Sequence, residues 1–348
     1  MTSLNDHNNY LPASVSNLKN PQTDIPRIAK DKKRLAEIIS VIPQIPTKHS
    51  LFQVDSLSPS FIPDKSVHLV VTSPPYWMLK KYVDDAYLAN DMTDYDRFLK
   101  TLHAVWKNCY RVLVPGGRLV CVVSDLWRSR RENKGRHTVV PLHAAIQESC
   151  RKIGFDSLAP IIWYKLPNSV LQELGKSRWF LGKPYEPNAV IKNDIDFLLM
   201  ERKPGGYRKT SVATRVLSII SDSNHKKWFQ SVWLGIKGGS AQNHLALYPQ
   251  EIAERLIRMY SFVGDTVLDP FMGTGTTTVA AATWGRNSIG VELNSDNFEQ
   301  AEKRINYTTS TLFSHAEITS NSVRGALVRR ENLWRGSYPK AHVSKLFA

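Results

Sequence analysis

The segment that most constrains the fold is a short apolar strand followed by a glycine-rich turn and a helix, at residues 266–284. Residues 266–268 predict the strand, and Gly273 and Gly275 allow the backbone to turn tightly and to approach a ligand closely. In parallel α/β sheets, ligands bind at the carboxyl ends of the strands, beside such a turn. This segment therefore predicts a nucleotide-like cofactor site at the edge of a parallel sheet.

Strand and helix patterns alternate along much of the chain. Val67–Thr72 is a largely apolar run that stops at Ser-Pro-Pro, as is typical of a buried parallel strand. The predicted strands span residues 67–72, 118–124, 157–164, 266–268 and 288–291, and the predicted helices span residues 29–42, 95–113, 139–152, 249–260 and 296–305, with one more between the glycine turn and residue 284. This alternation predicts an α/β fold built on a doubly wound, mostly parallel sheet.

Composition and pattern divide the chain into five regions. Residues 1–30 are rich in Asn, Ser and Pro and are predicted to be disordered. Residues 31–165 and 241–310 carry the regular alternation of strands and helices. Residues 166–240 have a looser pattern with several Gly, Pro and basic residues, and residues 311–348 form a basic tail.

The charge of the chain favours a polyanionic partner. There are 46 Lys and Arg against 31 Asp and Glu, a net charge of +15. Residues 126–243 alone hold 20 basic and 9 acidic residues. A solvated basic surface would give the same total, but this concentration in one segment favours nucleic acid, ahead of a membrane surface.

Several other classes of protein do not fit the sequence. The chain has no run of 18 apolar residues and no apolar secretory core near its start, so we expect a cytoplasmic protein that does not span a membrane. Its three cysteines, Cys109, Cys121 and Cys150, are too few and too scattered for a disulfide framework or a zinc site. We therefore predict no metal.

An acidic residue follows the glycine turn at the distance expected for a ribose contact. Glu292 ends the next predicted strand, about twenty positions after the turn. A carboxylate at such a strand tip can accept hydrogen bonds from both hydroxyls of a ribose. NAD and other nucleotide cofactors fit this pattern equally well, and a simple strand–turn–helix without a ligand is the plain alternative.

A second motif, Thr72-Ser73-Pro74-Pro75-Tyr76, lies at the end of the Val67–Thr72 strand. Ser73 offers a hydroxyl oxygen and Pro74 a carbonyl oxygen, while the two prolines bring no competing N–H group and fix the local φ angles. Tyr76 can stack on a planar ring. The motif predicts a pocket that gathers acceptors around an amino group, although a plain turn between a strand and a helix would also fit these residues.

In this order, the two motifs resemble those of DNA amino-methyltransferases, specifically the permuted β class, in which the catalytic tetrapeptide precedes the cofactor loop. The resemblance covers about residues 52–164 and 243–305. It implies a permuted, seven-stranded-type, Rossmann-like methyltransferase fold with a catalytic half at 31–165, a target-recognition insertion at 166–240 and a cofactor-binding half at 241–310. It also implies S-adenosyl-L-methionine as cofactor, double-stranded DNA and a cognate restriction endonuclease as partners, and a monomer or homodimer.

The resemblance assigns roles to particular residues. The catalytic residues would be Ser73, Pro74, Pro75 and Tyr76. The cofactor contacts would be Asp55, Thr72, Asp269, Pro270, Phe271, Gly273, Thr274, Gly275, Thr276, Thr277 and Glu292, with Asp55 near the adenine amino group and Glu292 on the ribose. From the charge pattern, we expect DNA contacts from Arg128, Arg130, Arg131, Arg178, Arg208 and Lys209.

The reaction implied is methyl transfer to an exocyclic amine of a base flipped out of the duplex. In this family a leading Ser is associated mainly with cytosine N4, and Asp or Asn with adenine N6, so we expect cytosine N4 with adenine N6 as the alternative. Transfer to cytosine C5 needs a cysteine nucleophile, usually after proline, and no cysteine here follows one. Remoter alternatives are a methyltransferase acting on RNA or a small molecule, and a non-catalytic protein that binds cofactor and nucleic acid.

Overall fold

The structure is a computed structural model that describes residues 7–57, 59–75, 92–128, 133–165, 194–236, 248–310 and 315–322. The strands are β1 Thr47–Gln53, β2 Val67–Thr72, β3 Leu113–Val123, β4 Leu126–Arg128, β5 Thr138–Val140, β6 Asp156–Tyr164, β7 Ile195–Arg202, β8 Val232–Trp233, β9 Thr266–Asp269, β10 Asn287–Val291 and β11 Ala316–Ser322. The helices are α1 Ala13–Ser16, α2 Pro21–Ile28, α3 Lys32–Val41, α4 Met92–Val112, α5 Leu142–Ile153, α6 Val212–Leu217, α7 Asp222–Trp228, α8 Gln250–Tyr260, α9 Thr276–Thr283 and α10 Ser295–Thr309, with 3₁₀ turns at His7–Tyr10 and Ile42–Gln44.

Nine of the described strands form one sheet, in the order β11-β1-β10-β9-β2-β3-β7-β6-β8, while β4 and β5 form a separate hairpin. Every neighbouring pair from β11 to β3 is parallel. Only β7 runs antiparallel to its neighbours, β3 and β6. The prediction of an α/β fold with a mostly parallel sheet is confirmed, with more strands in the described sheet than the seven implied by the resemblance.

Two apolar layers cover the central strands. On one face, α4 and α5 bury side chains such as Trp106 and Cys150 against β2, β3 and β7. On the other face, α8 and α9 pack residues such as Leu256 and Ala280 against the same strands. The strands are continuously apolar because both of their faces are buried, and each large side chain buried there stabilises the fold by about 1.5–3 kcal/mol.

The strand order brings the two sequence motifs together. β2 and β9 are parallel neighbours, with Leu69 opposite Val267 and Val70 opposite Leu268. Both chains therefore leave the sheet at the same edge, the carboxyl edge. The Ser-Pro-Pro sequence after β2 and the glycine turn after β9 must lie side by side there.

The first part of the chain differs from the prediction that residues 1–30 are disordered. Residues 7–30 form ordered helical turns, in which Asn20 caps α2 by accepting the Gln22 N–H at 3.0 Å. Val15 and Ile28 are fully buried in a cluster that also contains Val216. The segment is polar overall, and its few buried apolar residues pack against elements distant in sequence. They therefore give no apolar pattern that predicts these helices.

The predicted target-recognition insertion also differs from the structure. Within residues 166–240, β7 lies inside the sheet between β3 and β6, and Trp228 and Trp233 join the core. Residues 194–236 therefore contribute to the central sheet and to its apolar core. The prediction for residues 166–193 and 237–240 lies outside the described residues. Within the predicted basic tail, β11 pairs with β1 along the edge of the sheet.

None of the described helices is long and apolar enough to cross a membrane. No group of three or more His, Cys, Asp or Glu side chains in the described parts of the chain could hold a metal ion.

Candidate active site

The carboxylate of Asp269 joins the two motifs. Thr72 donates its hydroxyl to Asp269 Oδ1 at 2.6 Å, and Thr277 donates its hydroxyl to Oδ2 at 2.6 Å. The N–H of Phe271 also donates to Oδ1, at 3.0 Å. One buried side chain thus fixes the end of β2, the turn after β9 and the first turn of α9.

The Asp269 carboxyl group is held in an environment that disfavours its charge. Burial raises its pKa to about 6, and the hydrogen bonds from Thr277, Thr72, Phe271 and Tyr248 only partly offset this effect. The Tyr248 hydroxyl is also hydrogen-bonded to that of Thr277. A carboxylate kept in place at such a cost is typical of a functional site.

The turn after β9 depends on its two glycines. Gly273 has φ 54° and Gly275 has φ 84°, both in the left-handed region that other residues rarely adopt. A Cβ on Gly275 would lie 3.0 Å from the Cβ of Ala301 in α10. The turn therefore lies close against α10, and the amino end of α9 opens beside it.

Glu292, at the end of β10, faces this turn. Its Oε2 accepts the N–H of Gly273 and its Oε1 accepts the N–H of Asn294, both at 2.8 Å. The side chain is buried, and burial raises its pKa. Each carboxylate oxygen has a second lone pair, so Glu292 can still accept two hydroxyl groups while it holds the turn.

The segment that contains Asp55 lies against the same turn. The hydroxyl of Ser56 donates to the carbonyl of Pro270, and the N–H of Glu292 donates to the carbonyl of Phe52 at 3.0 Å. Asp55 itself accepts the N–H of Leu57 at 2.8 Å, which orders this loop. The structure therefore brings the predicted adenine-side and ribose-side residues to one place.

Phe271, Thr274 and Thr276 complete the surroundings of the turn. Phe271 packs edge-on against Trp106, with ring centroids 6.0 Å apart. Arg304 of α10 donates to the carbonyl of Thr274 at 2.7 Å, to its hydroxyl at 2.9 Å and to the hydroxyl of Thr276 at 3.4 Å. The two threonines are thus held by the protein itself and shape the turn.

These residues fit a nucleoside cofactor by their own chemistry. The left-handed φ of Gly275 and the close approach of Ala301 favour glycine there, and the position of the turn at the carboxyl edge is the usual ligand site of such sheets. Glu292 supplies carboxylate oxygens suited to a ribose diol, and Asp55 supplies an acceptor suited to an amino group. The predicted cofactor residues therefore form one contiguous site.

The predicted catalytic residues lie beside this site. Ser73 is partly buried, Pro74 is buried and Pro75 is exposed, immediately after the Thr72 that is bound to Asp269. Tyr76 lies outside the described residues, and its role stays a prediction.

The six predicted DNA contacts do not form one group. Arg128 is on the β4–β5 hairpin, which follows the carboxyl end of β3 and so lies at the edge that carries Ser73. Arg208 instead donates N–H groups from both terminal guanidinium nitrogens to the Asp265 carboxylate, just before the amino end of β9. The exposed Lys209 follows it. The amino end of β9 lies at the edge of the sheet opposite the carboxyl edge that carries Ser73. Arg208 is therefore not placed to contact DNA at the pocket. Arg130, Arg131 and Arg178 lie outside the described residues.

Sequence reasoning missed two residues of the site. Tyr248 reaches the Asp269 network from the segment before α8, and Arg304 reaches the turn from α10. Tyr248 lies within residues 243–305, where the resemblance holds, but the resemblance assigned it no role. Arg304 carried no signal, because a basic residue on a helix surface is common.

Comparison with known proteins agrees with this geometry. A model of a family described as DNA methylase matches residues 67–303. The Type II methyltransferase M.MjaI of Methanocaldococcus jannaschii is 36% identical over 280 residues, which are 72% of this chain and 88% of the relative. The DNA adenine methyltransferase YhdJ of Escherichia coli is 28% identical over 285 residues, 78% of this chain and 87% of that protein.

A solved structure gives the same result. The crystal structure of TTHA0409 from Thermus thermophilus, complexed with S-adenosyl-L-methionine, is 44% identical in sequence and superposes with a TM-score of 0.65. The similarity covers 78% of this chain and 98% of that one. With the family match spanning the strand before Ser73, the glycine turn and Glu292, the chain belongs to the DNA methylase family.

Proposed function

We propose that this protein is a site-specific DNA methyltransferase that transfers a methyl group from S-adenosyl-L-methionine to the N4 amine of cytosine in double-stranded DNA, after flipping the base out of the helix. The observation that carries the proposal is the hydrogen bond from Thr72 to Asp269. It joins the residue that precedes Ser73 and Pro74 to the turn that carries the proposed cofactor contacts, which supports placing the acceptors beside the methyl donor. An amine bound by these acceptors would therefore lie next to the methyl donor.

The acceptors have a defined task in this reaction. The exocyclic amine of cytosine shares its lone pair with the ring and is a poor nucleophile. If Ser73 Oγ and the Pro74 carbonyl accept hydrogen bonds from the two N–H groups of the amine, the nitrogen becomes pyramidal. Its lone pair then points out of the ring plane. Positive charge then grows on the nitrogen, and preorganised acceptors stabilise that charge in the transition state. The new C–N bond replaces the S–CH3 bond of the sulfonium, which becomes a neutral thioether, and one N–H proton of the methylated amine is lost to solvent.

The proposed cofactor residues would hold the methyl donor in position. When bound, S-adenosyl-L-methionine supplies an electrophilic methyl group on a sulfonium. Glu292 would hold the ribose, Asp55 the adenine amino group, and Phe271 an apolar contact beside Trp106. The Asp269 network would hold both motifs at a fixed separation.

Cytosine is favoured by the residue that leads the tetrapeptide. Ser73 is a neutral acceptor, which is the residue associated with cytosine N4 in this family. Adenine N6 is the second candidate, because the relative YhdJ is named as a DNA adenine methyltransferase. The same acceptors would serve either amine, so the choice of base needs a direct test.

Duplex DNA as substrate is supported by the charge of the chain. The excess of basic residues in 126–243 can neutralise phosphates on both sides of a flipped nucleotide. We keep Arg128, Arg130, Arg131, Arg178 and Lys209 as proposed contacts, and we leave out Arg208, which is paired with Asp265. A cognate restriction endonuclease is part of the proposal because the relative M.MjaI is named as a Type II methyltransferase.

The test of the proposal is methyl transfer by a Ser73→Ala variant. We expect transfer of labelled methyl groups to unmethylated DNA to fall by a factor of about 100–1,000, the usual cost of one preorganised transition-state hydrogen bond. Cofactor affinity, measured by calorimetry, should stay as in the wild type. The matched control is Ser66→Ala at the opposite end of β2, whose exposed hydroxyl binds only the Pro63 carbonyl among the described residues. Equal activity of the two variants would refute the role of Ser73.

A further inference from the structure

A basic hairpin stands at the carboxyl edge of the sheet, outside the residues that form the candidate active site. Its strands β4 and β5 pair with Leu126 opposite Val140 and Arg128 opposite Thr138. Leu126 is buried in the core cluster that contains α4 and α5, and Val140 packs against the same cluster. Because side chains alternate along a strand, one face of the hairpin is fixed on the protein and the other points away from it.

Contacts between its two ends hold the base of the hairpin. The Nδ1 atom of His143, just after β5, is hydrogen-bonded to Asp125 Oδ1 at 2.6 Å, and the His143 backbone N–H donates to the same oxygen at 3.2 Å. The His143 ring stacks on Phe197 of β7, with ring centroids 4.0 Å apart. Phe197 lies opposite Val123, the last residue of β3. The hairpin therefore leaves the end of β3 in a fixed direction.

The hairpin begins close to the proposed target pocket. β2 and β3 are parallel neighbours with Thr72 opposite Cys121, so Ser73 lies level with the next residue of β3, Val122. Neighbouring strands are about 5 Å apart, and the chain from Val122 to Leu126 spans at most about 14 Å. The hairpin thus starts within about 20 Å of Ser73, the length of about six base pairs of DNA. Phosphates near a base delivered to Ser73 are therefore within its reach.

The turn of the hairpin has a defined shape. Lys134 has φ 48° and Gly135 has φ 79°, and positive φ angles at both central residues are typical of a tight hairpin turn. The N–H of Arg136 closes the turn by donating to the carbonyl of Asn133 at 2.9 Å. The Asn133 side chain donates to the Thr138 hydroxyl at 2.8 Å. The turn is therefore tied to β5 and holds its two cations in place.

The outward face of the hairpin combines these cations with apolar side chains. Val139 is 48% exposed and lies opposite Trp127, and the His137 ring packs edge-on against Trp127 with ring centroids 5.0 Å apart. Lys134 and Arg136 are exposed, and neither has an acidic partner among the described residues. The described part of the hairpin contains three basic residues and no Asp or Glu. Clustered cations without acidic neighbours attract the phosphates of nucleic acid, and apolar groups between them can pack on its sugars.

We propose that the β4–β5 hairpin docks on the DNA duplex beside the flipped base, with Lys134 and Arg136 on phosphates and Val139 against the backbone. This inference rests on the proposed function, because it requires the target base to enter at Ser73. It extends the proposed DNA contacts from single arginines to one folded element with a fixed base. Since phosphates are alike in every sequence, the hairpin positions the duplex and does not read its bases.

The first test removes the two cations of the turn. The Lys134→Ala/Arg136→Ala variant should bind DNA about tenfold more weakly at low salt, because two phosphate contacts are lost. The loss should be equal on a random duplex and on one with the recognition sequence, which is mapped beforehand from methylated positions in cellular DNA. The slope of log affinity against log salt concentration should become shallower by about two. Affinity for S-adenosyl-L-methionine, measured by calorimetry, should equal that of the wild type.

The matched control is Lys32→Ala/Lys33→Ala, which removes the same charge from exposed positions at the start of α3. Ile38 of this helix packs in one cluster with Val263, just before the amino end of β9, so the control lies at the edge opposite Ser73. Its DNA affinity and salt slope should stay close to those of the wild type. Equal losses in the two double variants would reflect net charge alone and would overturn the inference, as would wild-type binding by the hairpin variant.

A charge series at Val139 tests the outward face itself. Relative to Val139→Gln, Val139→Glu should weaken DNA binding and Val139→Lys should strengthen it, each by about two- to threefold, as expected for one charge near a phosphate in water. The same series at the exposed Val212, at the start of α6, should change binding less. No change at Val139, or changes of the same size at Val212, would overturn the docking of this face. A wild type that binds no DNA would refute the proposed function, whereas hairpin variants that bind normally in an enzyme that makes N4-methylcytosine would refute only the role of the hairpin.

Discussion

Replacing Asp269 with asparagine should stabilise the folded protein at neutral pH while it impairs methyl transfer. Burial raises the pKa of Asp269 from an ordinary value of 3.8 to about 6. This difference means that the ionised carboxylate costs the fold about 3 kcal/mol, at 1.36 kcal/mol per pKa unit. Asparagine keeps the shape and one carbonyl acceptor without the charge, so the Asp269→Asn variant should gain up to this amount at pH 7.

The direction of the pKa shift determines how the free energy of unfolding changes with pH. The folded pKa lies above the unfolded one, so the folded state binds the proton more tightly. The contribution of Asp269 to stability is complete below pH 3.8 and is lost as the pH rises through 6. Relative to the Asp269→Asn variant, the wild type should therefore lose about 1.4 kcal/mol between pH 5 and pH 7.

The assay is urea unfolding of both proteins at pH 5, 6 and 7. Comparison with the variant cancels the other titrating groups, which the two proteins share. Asp265→Asn is the matched control, because Asp265 is buried at the other end of β9 and is paired with Arg208. This control should be destabilising. An Asp269→Asn variant less stable than the wild type at pH 7, or a difference that does not change with pH, would refute the reasoning.

Two further predictions concern the cofactor and the excluded DNA contact. Glu292→Ala should weaken S-adenosyl-L-methionine binding at least tenfold in calorimetry, because it removes charge-assisted acceptors worth about 1.5–3 kcal/mol each and leaves the Gly273 N–H without its acceptor. Glu292→Gln should lose less of the cofactor affinity. Wild-type affinity in Glu292→Ala would contradict the ribose assignment. Arg208→Ala should lower the free energy of unfolding by about 1–3 kcal/mol, because the buried Asp265 loses both guanidinium donors and keeps the Phe262 N–H at 2.8 Å and the nearby His68. Its DNA affinity and the salt dependence of binding should match the wild type, and a shallower salt slope would restore Arg208 as a phosphate contact.

The parts of the fold that could be predicted are those with a strong local signal. β2 and β9 are apolar runs that end at turn residues, and α4 places Phe98, Leu102 and Trp106 at helical spacing on its buried face. The glycine turn was readable because only glycine adopts its φ angles easily. Each of these features depends on neighbours in sequence.

The missed elements depend on partners far away in the chain. β1 contains the polar residues Thr47 and His49, yet both are buried. His49 is hydrogen-bonded to Ser288 at 2.8 Å and to Thr47 at 3.0 Å, and burial lowers its pKa to about 4. A strand whose buried polar groups are satisfied by a neighbouring strand does not show an apolar pattern. The helices of residues 13–28 were missed for a similar reason, since their anchors pack on distant elements.

The candidate site shows the same limit. The residue types of both motifs were visible in the sequence, but the bond from Thr72 to Asp269 joins positions 197 residues apart. The order of the strands decides that contact, and no local pattern encodes it.

The central claim is that the acceptors after β2 and the cofactor turn after β9 act together on the N4 amine of cytosine. Mass spectrometry of nucleosides from the DNA of cells that express the protein tests this claim most directly. The account predicts N4-methylcytosine in cells with the wild-type protein and none in cells with Ser73→Ala. N6-methyladenine in its place would contradict the assignment of the base. Unmodified DNA from cells whose protein is folded and binds S-adenosyl-L-methionine would contradict DNA as the substrate.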